Sequence, residues 1–114
     1  MSQPLHPVIS IRLFRDEKCF GPGVAQLLHQ VQSHHSLRGA AISMEMAYSK
    51  AWTIIRRCEQ ELGCTLLNLS AGGKGGGGAA LTPEAEALLA AYDRYCKRLR
   101  AAAADLFREE FPEV

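Results

Sequence analysis

A chain of 114 residues is long enough for one domain with a small hydrophobic core. Hydrophobic residues make up 47% of it and charged residues 22%, which is ordinary for a water-soluble protein. No apolar run approaches the roughly 20 residues that span a membrane, and the N-terminus lacks the features of a signal peptide. These totals argue against a membrane protein and favour a cytoplasmic one. A net charge of +1 does not by itself indicate binding to nucleic acid.

The sequence shows no recognisable metal site or catalytic motif. Its four cysteines lack the CxxC spacing of a zinc site, and we expect them to be reduced and mostly buried. His29, His34 and His35 have no carboxylate or thiolate at ligand spacing beside them. No serine lies in an elbow motif, and no nucleophile–base pair is recognisable. We therefore expect no metal, no cofactor and no catalytic residue. The cysteines are Cys19, Cys58, Cys64 and Cys96.

The N-terminal third of the chain predicts a strand followed by a helix. Residues 1–7 contain two prolines and are expected to form a flexible tail. Alternating, β-branched residues predict a strand at Val8–Phe14, and the polar segment Arg15–Gly21 predicts a turn. Pro22 suits the first position of a helix that runs to about Ser33. The expected buried stripe of that helix is Val24, Leu27, Leu28 and Val31.

Two helices joined by a tight turn are predicted between Ser36 and Gly63. Ser36 is a good N-cap for a short helix around Leu37–Met44, and the turn lies at Glu45–Ala47. A longer helix follows at about Tyr48–Leu62, and Gly63 is typical of a left-handed C-cap. This layout is that of a helix-turn-helix, whose second helix enters the major groove of DNA; an ordinary αα-hairpin is the alternative. The expected inward residues are Ala51, Ile55, Cys58 and Leu62.

The hydrophobic period changes after this second helix. Short strands at Thr65–Leu69 and Ala79–Leu81, with a glycine-rich loop at Ala71–Gly78 between them, predict a β-hairpin. A hairpin directly after a helix-turn-helix is typical of a wing, whose tip lies beside the DNA. A nucleotide-binding loop is disfavoured, because Lys74 is followed by glycine and not by the serine or threonine that would hold Mg²⁺.

The last helix is predicted to begin at Pro83, with Thr82 as N-cap, and to reach Glu110 or Phe111. It would span about 42 Å, which exceeds what a core helix in a domain of this size needs. Apolar residues recur along it at alternating spacings of three and four, as in a coiled-coil seam. We therefore expect residues 83–111 to be a dimerisation helix; a long core helix without a partner is the alternative. The expected dimer interface is Leu88, Tyr92, Tyr95, Leu99 and Leu106.

With these elements in order, the chain resembles the N-terminal DNA-binding domain of the molybdate-responsive transcriptional regulators, the ModE family, within the LysR-type winged-helix group. MAYSKAW at Met46–Trp52 is similar to the family's turn and start of the recognition helix. GGKGGGGAALT at Gly72–Thr82 is similar to its glycine-rich wing. The Glu61-Leu62-Gly63 ending of one helix and the Leu-Thr-Pro-Glu-Ala start of the next follow the LysR-type pattern. The resemblance covers roughly Val8 to Phe107.

Two departures limit what the resemblance implies. Ala47 stands where the family has an N-capping serine, and Ser49-Lys50 replaces its Lys-Ser pair, so the base preference is expected to differ. The full-length regulators carry C-terminal oxyanion-binding domains, whereas this chain ends at Val114. The resemblance thus implies a DNA-binding winged helix-turn-helix at residues 8–82 and no oxyanion-binding domain. Whether a separate sensor protein acts with it is left open by the sequence.

The candidate DNA-binding residues lie on the second helix and in the wing. Residues 46–82 hold four basic residues against two acidic ones. Lysine can contact guanine acceptors, serine and threonine are adaptable donors, and tyrosine and arginine can reach phosphates. A solvated helix face is the alternative, and Trp52 is open between a core anchor and a base contact. The candidates are Tyr48, Ser49, Lys50, Thr53, Arg56, Arg57 and Lys74.

The predicted fold class is mainly α with a small β wing, namely a winged helix-turn-helix with an N-terminal strand. The predicted function is that of a transcriptional regulator, a homodimer that reads double-stranded DNA with the helix Tyr48–Leu62 and touches the flanking backbone with the wing. A protein-interaction module on the same fold remains open, because the net charge is near neutral. Oxyanion or nucleotide binding at the glycine loop is a third, less favoured interpretation.

Overall fold

The computed structural model describes residues 2–70 and 78–114, and the order of its elements is that of a winged helix-turn-helix. The described part of the chain is mainly helical, with two small antiparallel hairpins. The predicted fold class is therefore confirmed. The elements are β1 (Leu13–Phe14), β2 (Lys18–Phe20), α1 (Pro22–His34), α2 (Leu37–Ser43), α3 (Tyr48–Leu62), β3 (Leu67–Leu69), β4 (Ala79–Leu81) and α4 (Pro83–Glu110).

The N-terminal strand predicted at Val8–Phe14 is wrong in extent. Only Leu13–Phe14 is a paired strand, and the described residues before it form neither helix nor strand. Its partner is Lys18–Phe20, inside the segment predicted as a polar turn. The reason is burial of Phe20, whose ring has no exposed surface and lies edge-on to the ring of Tyr92 at a centroid distance of 4.9 Å. The alternation of residue types in the sequence cannot predict this contact, because Tyr92 lies far from Phe20 in the chain.

Helix α1 forms the centre of the hydrophobic core. Leu27, Leu28 and Val31 have no exposed surface, as predicted. Val24 is only half-buried, and Ala25 takes its place in the buried stripe. Helices α2 and α3 pack against this stripe, and Leu62 lies at the margin of the core. The buried residues of α3 are Ala51, Ile55 and Cys58, as predicted.

Hydrogen-bonding caps and a glycine set the helix boundaries. Ser36 Oγ accepts from the Gly39 N–H at 2.9 Å where α2 begins. Thr82 Oγ1 accepts from the Ala85 N–H at 3.1 Å where α4 begins. Gly63 ends α3 with φ at 72°, in the left-handed region where glycine has no steric penalty. Because these signals are local, the predicted bounds of α2, α3 and α4 agree with the structure to within a residue.

The second hairpin is the base of the wing. Strands β3 and β4 are antiparallel, with Leu67 opposite Leu81, and β3 begins two residues later than predicted. The Ala79 N–H donates to the His35 carbonyl oxygen at 2.9 Å, which ties the hairpin to the junction of α1 and α2. Residues 71–77 of the predicted glycine-rich loop Ala71–Gly78 lie outside the described residues.

Helix α4 extends beyond the rest of the domain. Its buried residues all lie in its first half. The described chain measures 60 × 35 × 21 Å, and its radius of gyration of 17.2 Å exceeds the roughly 13 Å of a compact chain of this length. The second half of α4 is therefore not covered by the core of its own chain. None of the helices in the described ranges combines the length and hydropathy of a membrane span. The buried residues of α4 are Ala85, Leu89, Tyr92 and Cys96.

Candidate nucleic-acid interface

The outward face of α3 carries six of the seven residues predicted to bind DNA. All six have exposed side chains, and three of them are basic. The opposite side of α3 packs on the core, so these groups share one solvent-facing surface. The seventh candidate, Lys74, lies outside the described residues. The six on α3 are Tyr48, Ser49, Lys50, Thr53, Arg56 and Arg57.

Helix α3 begins without a side-chain cap. Ala47 has the extended backbone of an N-cap residue, with φ at −64° and ψ at 143°, but no side-chain acceptor. The first bonds of the helix run from the Lys50 and Ala51 N–H groups to the Ala47 carbonyl oxygen, at 3.0 and 3.1 Å. The N–H groups of Tyr48 and Ser49 find no acceptor in the described chain. Free N–H groups and the helix dipole make this terminus favourable for a phosphate.

Two arginines and two aromatic rings form a continuous series of contacts along one edge of the helix-turn-helix, which we call the arginine–aromatic ladder. The Arg38 guanidinium carbon lies 4.3 Å from the centroid of the Tyr48 ring. The Tyr48 and Trp52 rings meet edge-on, with centroids 6.3 Å apart. The Arg56 guanidinium carbon lies 4.8 Å from the centroid of a Trp52 ring. Both cation–aromatic distances are within cation–π range, so the ladder orients two guanidinium groups at the surface.

The sequence pattern did not indicate Arg38 as a member of this group. The spacing of Tyr48, Trp52 and Arg56 by four residues along α3 does indicate one shared helix edge. The position of Arg38 over that edge depends on the angle between α2 and α3. No local sequence signal reports that angle.

Two side chains of α3 are more constrained than the sequence suggests. Trp52 is half-buried and packs against the hydrophobic core, which places it as an anchor of the helix-turn-helix. The Thr53 hydroxyl donates to the Ser49 carbonyl oxygen at 3.0 Å. Its proton is therefore used within the helix, and the groups it can offer outward are its lone pairs and its methyl group.

Charge is distributed unevenly along α3. Its first turn holds no acidic residue, and Lys50 lies there beside the positive end of the helix dipole. Both acidic residues, Glu59 and Glu61, lie near the negative end. The Glu59 carboxylate accepts a hydrogen bond from the Leu66 N–H at 2.8 Å, so it fixes the backbone that follows α3. Negative charge is thus kept away from the half of α3 that carries the hydroxyl and lysine groups.

A second group of cations adjoins α3 from the N-terminal segment. Arg12 and Lys18 line a cavity together with Arg57. Within the described residues, no carboxylate forms an ion pair with any of the three. The sequence predicted Arg12 in a strand and Lys18 in a turn, and only the packing of the hairpin brings them beside α3.

The residues predicted at a dimer interface on α4 fall into two groups. Tyr92 is only 6% exposed, and its hydroxyl donates to the Ile11 carbonyl oxygen at 2.6 Å. This side chain lies in the core of its own chain and not on the outer seam, because its ring fills the space beside Phe20. Tyr95 and Leu106 are 52% and 59% exposed, which leaves them free for a partner. The other two, Leu88 and Leu99, are half-buried.

Packing surrounds the Cys58 thiol, and a polar contact with Asp93 orients the His29 ring. Burial raises the pKa of the Cys58 thiol to about 12, with smaller contributions from neighbouring thiols and Glu59, so it is protonated and unreactive at neutral pH. His29 Nε2 lies 2.8 Å from an Asp93 carboxylate oxygen and joins α1 to α4. Among residues 2–70 and 78–114, no three or more His, Cys, Asp or Glu side chains are grouped for a metal ion.

Comparison with known proteins agrees with this geometry. Residues 24–86 match the bacterial regulatory helix-turn-helix proteins of the lysR family. The chain is 38% identical over 72 residues, 63% of its length, to the transcriptional regulator ModE of Haemophilus influenzae. It is 36% identical over 66 residues, 58% of its length, to the molybdenum-pterin-binding protein MopB of Rhodobacter capsulatus. These segments cover 28% and 24% of the two relatives, so the chain spans about a quarter of the curated relatives it matches.

The resemblance to the ModE family that the motifs indicated is thereby confirmed. The lysR-family match includes most of α1, all of α2 and α3, the base of the wing and the start of α4. That is more than half of the chain. The protein therefore belongs to the LysR family of bacterial regulatory helix-turn-helix proteins, a family of transcriptional regulators and not of enzymes.

Proposed function

We propose that this protein is a homodimeric transcriptional regulator that places the N-terminal half of α3 in the major groove of double-stranded DNA. The exposed, basic and uncapped start of α3 is the observation that carries the proposal. Free N–H groups, Lys50 and the hydroxyl residues Ser49 and Thr53 lie there on one helix face. DNA presents to such a face both phosphates and base-edge acceptors.

The charge distribution of α3 favours the binding of an anion such as a DNA phosphate, although it does not favour the stability of the helix itself. A lysine at the positive end of a helix and glutamates near its negative end are each unfavourable for the isolated helix, by about 0.3–1 kcal/mol. A DNA phosphate beside the first turn makes the position of Lys50 there favourable, because the lysine and the helix dipole then both attract the phosphate. Unfavourable local electrostatics that a ligand relieves are typical of functional sites.

Each group on the interface has a distinct proposed role. Lys50 and Ser49 read base edges, and the Thr53 methyl group offers an apolar contact to a thymine methyl. The arginine–aromatic ladder directs Arg38 and Arg56 toward backbone phosphates. Arg57 contacts a phosphate on the other flank of α3. The wing, with Lys74, contacts the backbone beside the major groove.

Helix α4 is proposed to join two copies of the chain. Tyr95 and Leu106 are apolar, more than half exposed and aligned along one side of the helix. A second α4 would cover this seam, with Leu88 and Leu99 at its margin. A two-fold dimer would then recognise half-sites about 34 Å apart, or a multiple of that distance.

The test of DNA binding is fluorescence anisotropy with fragmented genomic DNA from the source organism and with a random duplex, each at several salt concentrations. We expect Arg57→Ala to weaken binding to both DNAs and to reduce the salt slope by about 0.9, the value for one lost phosphate contact. Lys50→Ala should weaken binding to selected fragments more than to the random duplex, because a base contact is lost. Lys97→Ala is the matched control, since this exposed lysine of α4 lies opposite the seam.

Salt-sensitive binding that Lys97→Ala leaves intact would support the regulator. Absence of binding at low salt, by a protein that is folded, would refute it. That result would favour the protein-interaction module, which the net charge of +1 suits.

The dimer is tested separately by sedimentation equilibrium. Leu106→Glu should shift the protein toward monomer, because it places a charge in the seam. Ala101→Glu, an exposed position on another side of α4, should leave the dimer intact. A monomeric wild-type protein at tens of micromolar would refute the dimer without touching the proposal for α3.

A further inference from the structure

A cavity lies between the N-terminal hairpin, the start of α1 and the flank of α3. Its volume is about 410 Å³, within the range of small-molecule sites. The buried side of its wall includes Cys58, with half-buried Val24 and Ile54 beside it. Its exposed side carries the cations Arg12 and Lys18. The cavity therefore joins an apolar floor to a basic opening.

The positive charge at this opening is not neutralised within the described residues. Arg12 and Lys18 from the N-terminal segment and Arg57 from α3 line the same cavity. None of them pairs with a carboxylate, and no Asp or Glu of the described ranges lines the wall. Arg12 donates one hydrogen bond, to Ser10 Oγ at 2.9 Å, which orients its guanidinium without cancelling its charge. Three like charges at one opening repel one another unless an anion lies between them.

The backbone adds donors to the same wall. Helix α1 has no side-chain cap and no acidic residue in its first turn, and the Gly23 and Val24 N–H groups find no acceptor in the described chain. A Cβ atom at Gly21 would lie 3.3 Å from Arg12 Cγ, so glycine lets the Arg12 side chain lie close to the start of α1. The helix dipole and three side-chain cations thus favour the same sign of ligand charge.

We propose that this cavity binds a small organic anion whose carboxylate meets the basic opening and whose apolar body packs on the floor. The charges select the carboxylate, and the apolar floor selects the hydrophobic body. The site does not depend on DNA binding, although Ile54 and Arg57 place its occupant against α3. The DNA-binding domain would then itself hold a ligand, without a separate sensor protein.

The test uses the full chain and ¹H–¹⁵N NMR titrations in the absence of DNA. The probe is 2-naphthoate; 2-naphthylmethanol supplies the same body without charge, and inorganic phosphate supplies charge without the body. We expect saturable shifts of the Gly23 and Val24 amide signals with 2-naphthoate. We also expect at least about tenfold weaker binding of the other two probes, as for loss of one charged hydrogen bond or of the apolar contact.

Gly23→Asp is the decisive variant. A Cβ at Gly23 would meet no atom within 4 Å, so the side chain fits and supplies an internal carboxylate at the start of α1. We expect it to raise the melting temperature and to abolish 2-naphthoate binding, because its carboxylate takes the place of the ligand's carboxylate. Because Gly23→Asp is expected to stabilise the fold, misfolding does not obscure the result.

A second pair of variants tests the side-chain cations. Arg12→Gln/Lys18→Gln should weaken 2-naphthoate binding by at least about tenfold. Arg94→Gln/Lys97→Gln makes the same change in net charge on α4 and should leave 2-naphthoate binding unchanged. The proposal would be overturned if 2-naphthylmethanol or phosphate bound as tightly as 2-naphthoate. It would also be overturned if 2-naphthoate did not bind, or if it bound the Gly23→Asp variant as tightly as the wild type. It would also be overturned if duplex DNA moved the Gly23 and Val24 signals and 2-naphthoate did not.

Discussion

The uncapped start of α3 permits a direct test of the local energetics. Ala47 has the extended backbone that N-cap residues adopt, and its φ of −64° and ψ of 143° suit a serine. The Oγ of a serine at this position could accept from the Ser49 or Lys50 N–H. The substitution Ala47→Ser therefore adds a missing acceptor without disturbing the helix. We expect it to stabilise the protein.

The magnitude follows from known N-cap energies. A serine N-cap is worth about 1 kcal/mol relative to alanine. For a chain of 114 residues, the entropy of unfolding is about 0.24 kcal/mol per degree. We therefore expect Ala47→Ser to raise the melting temperature by about 4 °C.

The assay is thermal unfolding followed by circular dichroism, at one fixed protein concentration, because dimerisation would make the melting temperature concentration-dependent. Ala47→Thr and Ala47→Val are a matched pair of similar shape that differ in the hydroxyl group. Thr should be the more stable of the two, and Ser36→Ala should lower stability by a similar amount, since it removes the bond from the Gly39 N–H. A shift below about 1 °C for Ala47→Ser, or equal stability of the Thr and Val variants, would refute the reasoning.

Three further predictions concern the core and the ladder. Tyr92→Phe should lower the free energy of unfolding by about 1 kcal/mol in urea titrations, because it removes the hydrogen bond to the Ile11 carbonyl oxygen; unchanged stability would contradict this. Burial raises the pKa of Cys58 from 9.0 to about 12, so the folded state holds the thiol proton more tightly than the unfolded state does. The contribution of this thiol to the free energy of unfolding is complete below pH 9 and is lost as the pH rises towards 12. The free energy of unfolding of Cys58→Ala should therefore fall less steeply than that of the wild type across this pH range. Trp52→Leu removes the aromatic ring on which the Arg56 guanidinium lies, but it leaves the charge of Arg56 in place. It should weaken DNA binding about two- to fivefold with an unchanged salt slope, and an altered slope would show that the charge had moved from its phosphate.

The parts of the fold that the sequence predicted correctly depend on local chemistry. Ser36, Gly63 and Thr82 set helix ends through bonds or backbone angles within a few residues of themselves. The 3.6-residue period of α3 separated Ala51 and Ile55 from the exposed basic residues. For the same reason, the face proposed to bind DNA could be identified before any tertiary contact was known.

The parts that the sequence missed depend on contacts between distant segments. Strand β2 forms because Phe20 packs against Tyr92, seventy-two positions later in the chain. The same contact removes Tyr92 from the seam to which its heptad position assigned it. Arg38 joins the ladder only through the angle at which α2 meets α3. No periodic pattern carries such information, because each pair depends on how whole elements pack.

The sequence by itself determined the order of helices, the helix-turn-helix with its hairpin, the caps and the polar face of α3, since capping and periodicity act over less than two helical turns. Only the tertiary structure decided which cations lie near one another. It brought Arg12 and Lys18 to the flank of α3 and left the cavity between them, and it divided α4 into a buried half and a projecting half. The physical reason is that burial and charge proximity are properties of packed elements, whereas helix formation and capping are properties of neighbouring residues.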